Sequence, residues 1–597
     1  MMTKDNGTKC TSSAENAEVF RAHFEKLYGR QPAFDASVLD LLVQQPIITG
    51  CDHLPTDEQV EKAMKKLKNS APGDSGLAAQ AWKALAENRI TFGIVKSIVV
   101  DFWLNERPPE EWEIGMLKIL AKKGDLSKPG NYRGIMKVEV AYKIIAILLH
   151  ERLQPIAEGL DHEPQCGFRT ERGCPDATFS VKLAMKKRRE HGQETWILFL
   201  DLVKAFDRVP REMLWAVLEK FGVPPKLINI LKALHKNIDV KFEVDGVTHT
   251  IKCIIGVKQG DILGPILFVM YIAAVMITWR SSVDRPLCIF RSKEDFVLTG
   301  RRAAAKGTDF SFGDSEYADD TAVLFPTREN LEHYTPILLK HFERFGMEVH
   351  TGDKTQPDKP SKTEVLFVAA PSTVYNDPST YDGRDLSQIE LGNHRFLPVV
   401  SKFCYLGSIL TRNCKDEEDI KSRIQAAGNS FGALRKCLFT NQSISFPAKR
   451  TVYEGLILSI LLYGSESWCL TEELLNLLRT FHARSVRAMC RVNRWHVRKH
   501  RITTKELLMR VGLKSIDTYI TQRQLRWAGH VARMTYDRLP RKMLSSWVPN
   551  KRPRGAPEFT YGRGLYKALK KVEVSKDNWY ALAENREQWR KTVKSMN

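Results

Sequence analysis

The sequence has few closely spaced cysteines. Its eleven cysteines are scattered over 597 residues without a single C-x-x-C pair, and the nearest neighbours are Cys166 with Cys174 and Cys404 with Cys414. Such spacings suit neither a zinc site nor a small disulfide framework. We therefore expect an intracellular protein of the nucleus and cytoplasm, with reduced thiols.

Long hydrophobic runs are also rare. The N-terminal segment has no apolar core, so no secretory signal is expected. Residues 262–279 form one nearly uncharged stretch, at the lower length limit for a membrane-spanning helix. Because it directly follows a polar glycine motif (GVKQGD, residues 256–261), we interpret it as a buried core helix and expect no membrane partner.

Acidic residues are outnumbered. Lysine and arginine total 91 against 70 acidic residues, which gives a formal charge of +21. Such an excess repels itself unless a polyanion binds, which favours nucleic acid over an anionic membrane surface. The hydrophobic fraction of 43% is that of a globular protein, and the length suits two to four subdomains.

Helical and strand patterns alternate along the chain. Residues 56–68 predict a helix capped by Thr56 and Gln59, residues 141–153 a second, and residues 420–434 a third with apolar side chains every three or four positions. Residues 241–246 predict the start of a hairpin. Strands flanked by helices indicate an α+β fold.

Two acidic stretches stand next to apolar runs. The run at 196–200 ends in Asp201, and Asp319-Asp320 lie in a strand-turn-strand pattern before the apolar residues 322–325. Gathered carboxylates repel one another unless cations neutralise them, and Mg²⁺ prefers oxygen ligands. Two such ions are the usual device for in-line phosphoryl displacement. The alternative for an isolated Asp-Asp pair is an ordinary turn.

Seven segments, in order, resemble the motifs of non-LTR (LINE-type) retrotransposon reverse transcriptases. NYRGI (131–135) and QCGFR (165–169) are similar to the fingers motifs, and FLDLVKAFDRV (199–209), 256–268 and YADD (317–320) to three palm motifs. Residues 353–354 with 362–364 resemble the fourth palm motif, and FCYLG (403–407) the primer-gripping hairpin. The resemblance extends over roughly residues 18–545, and RWAGHVARM (526–534) is similar to the C-terminal part of RTE- and CR1-like elements.

The resemblance implies a right-hand polymerase. Its expected parts are an N-terminal extension (1–55), fingers (56–190), a palm with an antiparallel sheet (191–410), a helical thumb (411–490) and a basic C-terminal region (491–597). The implied activity is RNA-directed DNA synthesis by target-primed reverse transcription, with an RNA template, a DNA primer and dNTPs, as a ribonucleoprotein with its own transcript. We expect no endonuclease domain in this chain, which starts near the segment that follows that domain in the family.

The resemblance also implies roles for individual residues. Asp201 and Asp319 are expected to bind two Mg²⁺ ions, which Mn²⁺ could replace, with Asp320 ligating less directly. Lys362 is expected to assist the leaving pyrophosphate, with Lys354 as its rival. Phe206 would lie beneath the incoming sugar and exclude ribonucleotides, although a core aromatic is an equal alternative. Gln259, Gly260, Arg133 and Arg169 are the remaining candidates for nucleotide binding, and Tyr405, Leu406 and Gly407 for the primer.

The chain becomes strongly basic after residue 480. Arg484, Arg487, Arg491, Arg494 and Arg498 recur at three and four positions with no acid between 484 and 501. On one helix they would form a stripe that follows the phosphates of an RNA–DNA duplex, the alternative being a solvated face. Residues 551–557 are interpreted as an exposed linker, and His530 has no cysteine partners for a zinc site.

Some positions depart from the family pattern. Gly134 replaces a proline and Ser75 an aspartate, while Ile262 and Gly264 replace a proline and a serine. None of these changes removes an expected metal ligand. Two alternatives stay open: a group II intron-like reverse transcriptase and maturase, and a decayed or domesticated derivative that binds RNA without catalysis.

Overall fold

The computed structural model describes residues 2–4, 7–69, 72–122, 124–160, 162–236, 238–284, 287–294, 307–356, 360–371, 380–381, 384–550 and 560–596. Within these residues the chain forms two compact units. The first comprises Met1–Glu171, Asp201–Asp284 and Tyr334–His350, and the second comprises Arg172–Leu200, Arg285–His333 and Thr351–Asn597. The predicted linker at 551–557 lies outside the described residues.

The strands, in chain order, are β1 (Ile114–Ala121), β2 (Tyr132–Lys137), β3 (Thr195–Leu200), β4 (Ile238–Val244), β5 (Val247–Cys253), β6 (Ile289–Ser292), β7 (Thr308–Ser311), β8 (Asp314–Tyr317), β9 (Asp320–Phe325), β10 (Gly352–Asp353), β11 (Glu364–Val368), β12 (Thr380–Tyr381), β13 (Arg384–Asp385), β14 (Gln388–Gly392), β15 (Arg395–Val400), β16 (Lys402–Tyr405), β17 (Ser408–Thr411) and β18 (Ser546–Trp547).

The α-helices are α1 (Ser13–Tyr28), α2 (Asp57–Lys66), α3 (Ala79–Leu85), α4 (Arg89–Asn105), α5 (Val140–Gly159), α6 (Cys174–Glu190), α7 (Arg211–Lys220), α8 (Pro225–His235), α9 (Leu263–Ser281), α10 (Arg328–Arg344), α11 (Glu417–Leu434), α12 (Phe446–Val452), α13 (Leu458–Leu461), α14 (Glu472–Met489), α15 (Arg494–Lys499), α16 (Thr504–Val511), α17 (Ile516–Ala532), α18 (Leu539–Leu544), α19 (Tyr561–Lys570), α20 (Trp579–Glu584) and α21 (Arg586–Lys594). Together with the sheets they make an α+β structure, as predicted.

The first unit is built around a four-stranded sheet of order β2-β1-β4-β5. Strand β1 pairs antiparallel with β2 and parallel with β4. The predicted hairpin is confirmed as β4–β5, which turns through Asp245 and Gly246, both with positive φ. The predicted helix α2 is also confirmed, since Thr56 and Gln59 form a reciprocal capping box at its start.

Helix α9 is the long apolar run of the sequence. It is the one helix of the described chain whose length and composition would allow it to cross a membrane, and 83% of its 18-residue apolar window is buried inside the structure. Tyr271 and Trp279 are fully buried along it. The interpretation of residues 262–279 as a core helix is therefore confirmed.

The second unit contains a seven-stranded sheet of order β10-β15-β11-β3-β9-β8, with β14 paired to β15. Every residue of β3 is buried, and β3 pairs antiparallel with both β9 and β11. Ring stacking reinforces this part of the sheet, because Phe199 lies 3.9 Å from Phe403 between ring centroids and Trp196 lies 4.1 Å from Phe367. The fixed end of β3 is what positions the candidate site.

The helical part of the second unit confirms the predicted apolar period from residue 420. Ile420, Ala427 and Phe431 of α11 are buried in one hydrophobic core with residues of α14 and α17. Neither compact unit coincides with one predicted polymerase domain: α6, assigned to the fingers by sequence, belongs to the same unit as β3 and α11. The fingers, palm and thumb boundaries stay predictions.

Candidate active site

The acidic turn of the second unit closes β8 onto β9. Tyr317 pairs with Asp320, and Ala318 and Asp319 form the turn between them. Asp319 is half-buried, and Asp320 is exposed. The predicted strand-turn-strand pattern is confirmed, with one correction: Asp320 is the first residue of β9 and does not lie in the turn itself.

Register links this turn to the end of β3. Leu200, the last residue of β3, pairs with Thr321 of β9, and Asp201 is the next residue of the chain. Antiparallel strands that pair at these residues bring the exit of one strand beside the entry of the other. Asp201 therefore directly follows the end of β3 that pairs with β9 next to the Asp319–Asp320 turn.

Backbone conformation at the turn is unusual. Ala318 has φ of +57° and is 4% exposed. An L-residue in this left-handed region costs about 1–2 kcal/mol, a strain that occurs where surrounding structure fixes the backbone. Here β8 and β9 supply that constraint, so the direction of the Asp319 side chain is set by two paired strands.

Asp201 begins a stretch of the first unit that is held by backbone pairing. Its carbonyl oxygen accepts a hydrogen bond from His350 N at 2.8 Å, and Val203 N donates to Glu348 O at 2.8 Å. Leu202 forms an isolated antiparallel bridge with Val349. Residues 348–350 therefore fix the backbone at and after Asp201.

Carboxylates at the end of β3 and in the β8–β9 turn have the donor chemistry of a divalent-cation site, since hard cations prefer oxygen ligands. Among the residues that the structure describes, no group of three or more histidine, cysteine or acidic side chains is arranged to hold a metal ion. The strand register and the donor type thus fit a divalent cation, whereas the side chains do not form a complete ligand set.

The predicted nucleotide-binding segments meet in the first unit. Val257 N donates to Phe206 O at 2.9 Å, and Gly256 N donates to Val209 O at 2.9 Å. Phe206 is half-buried and stacks on Phe268, with ring centroids 4.2 Å apart and planes at 17°. One face of the ring therefore packs against α9, and part of the ring stays exposed. This position is compatible with contact to an incoming sugar and also with a role as a core aromatic.

Gly256 fills a position that only glycine can occupy. Its φ is +78°, and a Cβ atom there would lie 2.6 Å from Asp207 O and 2.9 Å from Phe206 O. We expect Gly256→Ala to destabilise the first unit by about 2 kcal/mol or more, because left-handed strain adds to a backbone clash. Chemical denaturation monitored by circular dichroism measures this effect. Gly246→Ala, at φ of +84° with no atom within 4 Å of the added Cβ, is the matched control for strain alone and should cost less.

The loop that carries Gln259 and Gly260 packs on β2. Gln259 O accepts a hydrogen bond from Met136 N at 2.8 Å. Gly260 has φ of +104°, and an added Cβ would lie 2.9 Å from Met136 O. Glycine at this position therefore allows the loop backbone to approach β2 closely. Gly134 on the same strand is similarly confined, since a Cβ there would lie 2.7 Å from Leu117 Cδ1.

Buried charges that the sequence interpretation missed hold this loop. The Arg211 guanidinium is buried and donates to the carbonyl oxygens of Gly256 at 3.0 Å, Cys253 at 3.0 Å and Ile255 at 3.1 Å. Lys258 Nζ is also buried and donates to Leu234 O at 2.9 Å, and burial lowers the pKa of Lys258 to about 8. Both residues are cationic in sequence, and no local pattern distinguishes them from surface charges.

The two predicted fingers arginines differ. Arg133 lies on β2 and is exposed. The side chain of Arg169 is 6% exposed, pairs with Glu158 at 3.1 Å and donates to His162 O at 2.5 Å. The phosphate-binding prediction for Arg169 is therefore corrected: its guanidinium serves the internal structure of the first unit.

The predicted lysines of the fourth motif are both exposed. Lys354 pairs with Glu390 at 2.8 Å. Lys362 stands just before β11, whose Glu364 pairs with Phe199 of β3. The start of β11 therefore lies beside the end of β3, which keeps Lys362 as the stronger of the two candidates.

The hairpin predicted at residues 403–407 is confirmed as β16–β17, which turns through Leu406 and Gly407, with φ of +46° and +80°. Its contact with a primer stays a prediction. Tyr405 requires a correction, since it is 2% exposed and its hydroxyl donates to Ser315 O at 3.0 Å. The tyrosine anchors the hairpin to β8 and cannot present its ring to a primer. Leu406 and Gly407 stay accessible at the tip.

The prediction of one helix carrying the arginine series is wrong. Helix α14 ends at Met489, Arg491 has φ of +56°, and α15 begins only at Arg494. The cause is a new helix start: the Asn493 side chain accepts a hydrogen bond from His496 N at 2.8 Å and caps α15. The five arginines are distributed over two helices and the turn between them.

Comparison with known proteins agrees with the motifs. Residues 120–366 match the family model described as reverse transcriptase (RNA-dependent DNA polymerase). The chain is 24% identical over 484 residues to the probable RNA-directed DNA polymerase from transposon X-element of Drosophila melanogaster, covering 78% of this chain and 48% of that protein. It is 23% identical over 530 residues to the polymerase from mobile element jockey of the same species, covering 85% and 52%. It is 27% identical over 273 residues to the type-1 retrotransposable element R2 polyprotein of Popillia japonica, covering 45% and 35%.

The chain thus carries a reverse transcriptase domain, the class of protein that the palm motifs predicted. Its similarity to the X-element and jockey polymerases is that of a LINE-type, non-LTR retrotransposon reverse transcriptase, so the predicted resemblance is confirmed. The chain spans about a third to a half of the length of these relatives.

Proposed function

We propose that this protein is an RNA-directed DNA polymerase of a non-LTR retrotransposon, extending a DNA 3′ end on an RNA template. The observation that carries the proposal is the pairing of Leu200 with Thr321, which aligns the strand leading into Asp201 with the Asp319–Asp320 turn. The reverse transcriptase match over residues 120–366 spans both acidic segments.

In this proposal Asp201 and Asp319 hold two divalent cations and Asp320 contributes less directly. Such cations, Mg²⁺ or in its place Mn²⁺, would supply charge stabilisation for in-line displacement at the incoming triphosphate. The half-buried position of Asp319 and the exposed position of Asp320 support this ranking. Lys362 is proposed to place its ammonium near the leaving pyrophosphate.

The nucleotide is proposed to bind beside Phe206 and the loop of Gln259 and Gly260. The hydrogen bond between Val257 N and Phe206 O joins the backbone of the aromatic residue to this loop. Arg133, exposed on β2, is proposed to contact the triphosphate. Arg169 and Tyr405 are left out of the proposed substrate contacts, because both side chains are buried.

Replacing Phe206 by alanine is expected to admit ribonucleotides. If the exposed part of the ring lies beneath the sugar, it excludes a 2′-hydroxyl, and its removal should lower the preference for dNTPs over rNTPs about 10- to 100-fold. Single-nucleotide incorporation with each substrate measures the ratio. Phe268→Leu, which alters the stacking partner alone, is the control. An unchanged ratio in Phe206→Ala would assign the ring to the core.

The proposed partners are an RNA template, a DNA primer and dNTPs, with the chain's own transcript bound as a ribonucleoprotein. Nicked chromosomal DNA would supply the 3′ end in target-primed reverse transcription, which requires access to the nucleus after synthesis in the cytoplasm. The formal charge of +21 supports a polyanionic partner. The tip residues Leu406 and Gly407 are proposed to contact the primer.

Primer extension tests the proposed function. The purified chain is mixed with a DNA primer annealed to an RNA template, dNTPs and Mg²⁺ or Mn²⁺, and the products are resolved by length. We expect extension that stops on chelation and resumes when the divalent ion is restored. A chain that binds the primed template, yet extends it with neither ion, would contradict the proposal.

A further inference from the structure

Trp495 is the one tryptophan of the described chain that lies exposed to solvent. It is 62% exposed on α15, whereas other tryptophans such as Trp103 and Trp468 are fully buried. Burying an indole normally gives a large hydrophobic gain, so a ring left outside the core has surface available for a partner. The position of this ring differs from that of Trp527, which is partly buried and packs against Phe179.

The surroundings of Trp495 are cationic. Arg491, Arg494, Arg498, Lys499 and Arg501 are exposed, and within the described chain none of them pairs with a carboxylate. No acidic residue occurs from 474 to 505. The next acid, Glu506, accepts a hydrogen bond from Thr503 N at 3.0 Å in the capping box of α16, so it serves the start of that helix.

Backbone geometry presents the ring at the centre of these charges. Helix α15 contains six residues between two residues of left-handed conformation, Arg491 at φ of +56° and Arg501 at φ of +50°. The Lys499 ammonium lies 4.7 Å from the centre of the Trp495 ring, one helical turn further on. This cation–π contact orders one face of the indole, and the high exposure leaves surface for a second planar group.

We propose that Trp495 stacks on an unpaired base of single-stranded nucleic acid, while the arginines of the surrounding turn contact its phosphates. Aromatic rings set in a cationic surface bind single strands in this way, because every base has a π face. A duplex shields its bases, so the ring would add nothing to duplex binding. The proposal depends on the proposed function only for RNA being the natural ligand.

An anionic membrane is the competing partner for a basic surface with a tryptophan. Helices that lie in a membrane interface need a long apolar face, rich in large hydrophobic side chains. In α15, Trp495 is the only exposed large hydrophobic residue, and Val497 is half-buried. The short helix therefore favours nucleic acid, and vesicle binding becomes an arm of the test.

The test compares equilibrium binding of an unstructured RNA 12-mer and of the same sequence as a duplex, by fluorescence anisotropy and without dNTPs. We expect Trp495→Ala to bind the single strand about 5- to 100-fold more weakly, Trp495→Phe to retain most of the affinity, and duplex binding to change less than about twofold. Met509→Ala removes another exposed side chain, 64% exposed on the next helix, and should bind as the unchanged protein does.

Salt dependence separates stacking from charge. Trp495→Ala should leave the slope of log K against log salt unchanged, whereas Arg498→Ala should reduce it by about one, since one phosphate contact is lost. Repeating the series with single-stranded DNA shows whether the sugar contributes, and a loss on RNA alone or on both strands supports base stacking. Equal single-strand binding by Trp495→Ala, an equal loss on the duplex, or a loss on anionic vesicles but not on RNA would overturn the proposal. Because no synthesis is measured, these outcomes are independent of primer extension.

Discussion

Asp319→Asn is expected to abolish DNA synthesis while leaving RNA binding nearly unchanged. Asparagine has the same size as aspartate, so the Ala318–Asp319 turn and the paired strands should persist. The substitution removes one negative charge at the place proposed to hold divalent cations. Metal-assisted stabilisation of a phosphoryl-transfer transition state is worth several kcal/mol, which corresponds to about a thousandfold loss of rate or more.

Two further substitutions make this result specific. Asp309→Asn changes a carboxylate of the same unit that is 49% exposed and pairs with Arg291 at 2.6 Å, and it should extend primers at the normal rate. Asp320→Asn should lose less activity than Asp319→Asn, because Asp320 is exposed at the first position of β9. Synthesis by Asp319→Asn at the rate of the unchanged protein would contradict the assigned role of the turn.

Asp416→Ala is expected to destabilise the second unit by about 3–5 kcal/mol. Asp416 is buried and pairs with Lys182 at 3.2 Å and with Lys186 at 2.8 Å, and it accepts a hydrogen bond from Cys469 N at 2.8 Å. Removing it leaves the ammonium of Lys182, on a side chain only 5% exposed, with one carboxylate fewer beside it. Removing one partner of a buried ion pair costs about this amount. The midpoint of thermal unfolding, measured by circular dichroism, should fall by about 10 °C.

The contribution of the Asp416 carboxylate to stability depends on pH. Burial alone would raise the pKa of Asp416, but the charges of Lys186 and Lys182 lower it from its ordinary value of 3.8 to about 2. Its stabilising contribution is therefore complete above pH 3.8 and is lost as the pH falls through about 2. Glu417→Gln is the neighbouring control: Glu417 is exposed and pairs with Lys421 at 2.7 Å, so its loss should cost less than about 1 kcal/mol. A midpoint of Asp416→Ala equal to that of Glu417→Gln would contradict the proposed contribution.

Elements with a local cause could be predicted from the sequence. The capping box of Thr56 and Gln59, the β8–β9 hairpin and the apolar period of α11 each depend on residues close together in the chain. The candidate site shares this property, because Asp201 directly follows the apolar strand β3 and Asp319 directly precedes β9, whose residues 322–325 are apolar. The resemblance to the family motifs further indicated that these two acidic segments belong to one active site.

Contacts between distant parts of the chain could not be predicted in this way. Lys182 and Asp416 are 234 positions apart, and the burial of Tyr405 depends on Ser315, 90 positions before it. The arginine series was mistaken for one helix although a local signal was present. Asn493, a favourable capping residue within a basic run, marks the start of α15.

The proposed mechanism requires Asp201 and Asp319 to bind the same divalent cations. Anomalous diffraction from crystals grown with Mn²⁺, a primed RNA template and a non-reactive dNTP analogue would locate these cations. We expect Mn²⁺ peaks at a coordination distance of about 2 Å from carboxylate oxygens of both residues. Peaks bound by only one of the two carboxylates, or located away from both while the crystals contain bound nucleotide, would contradict it.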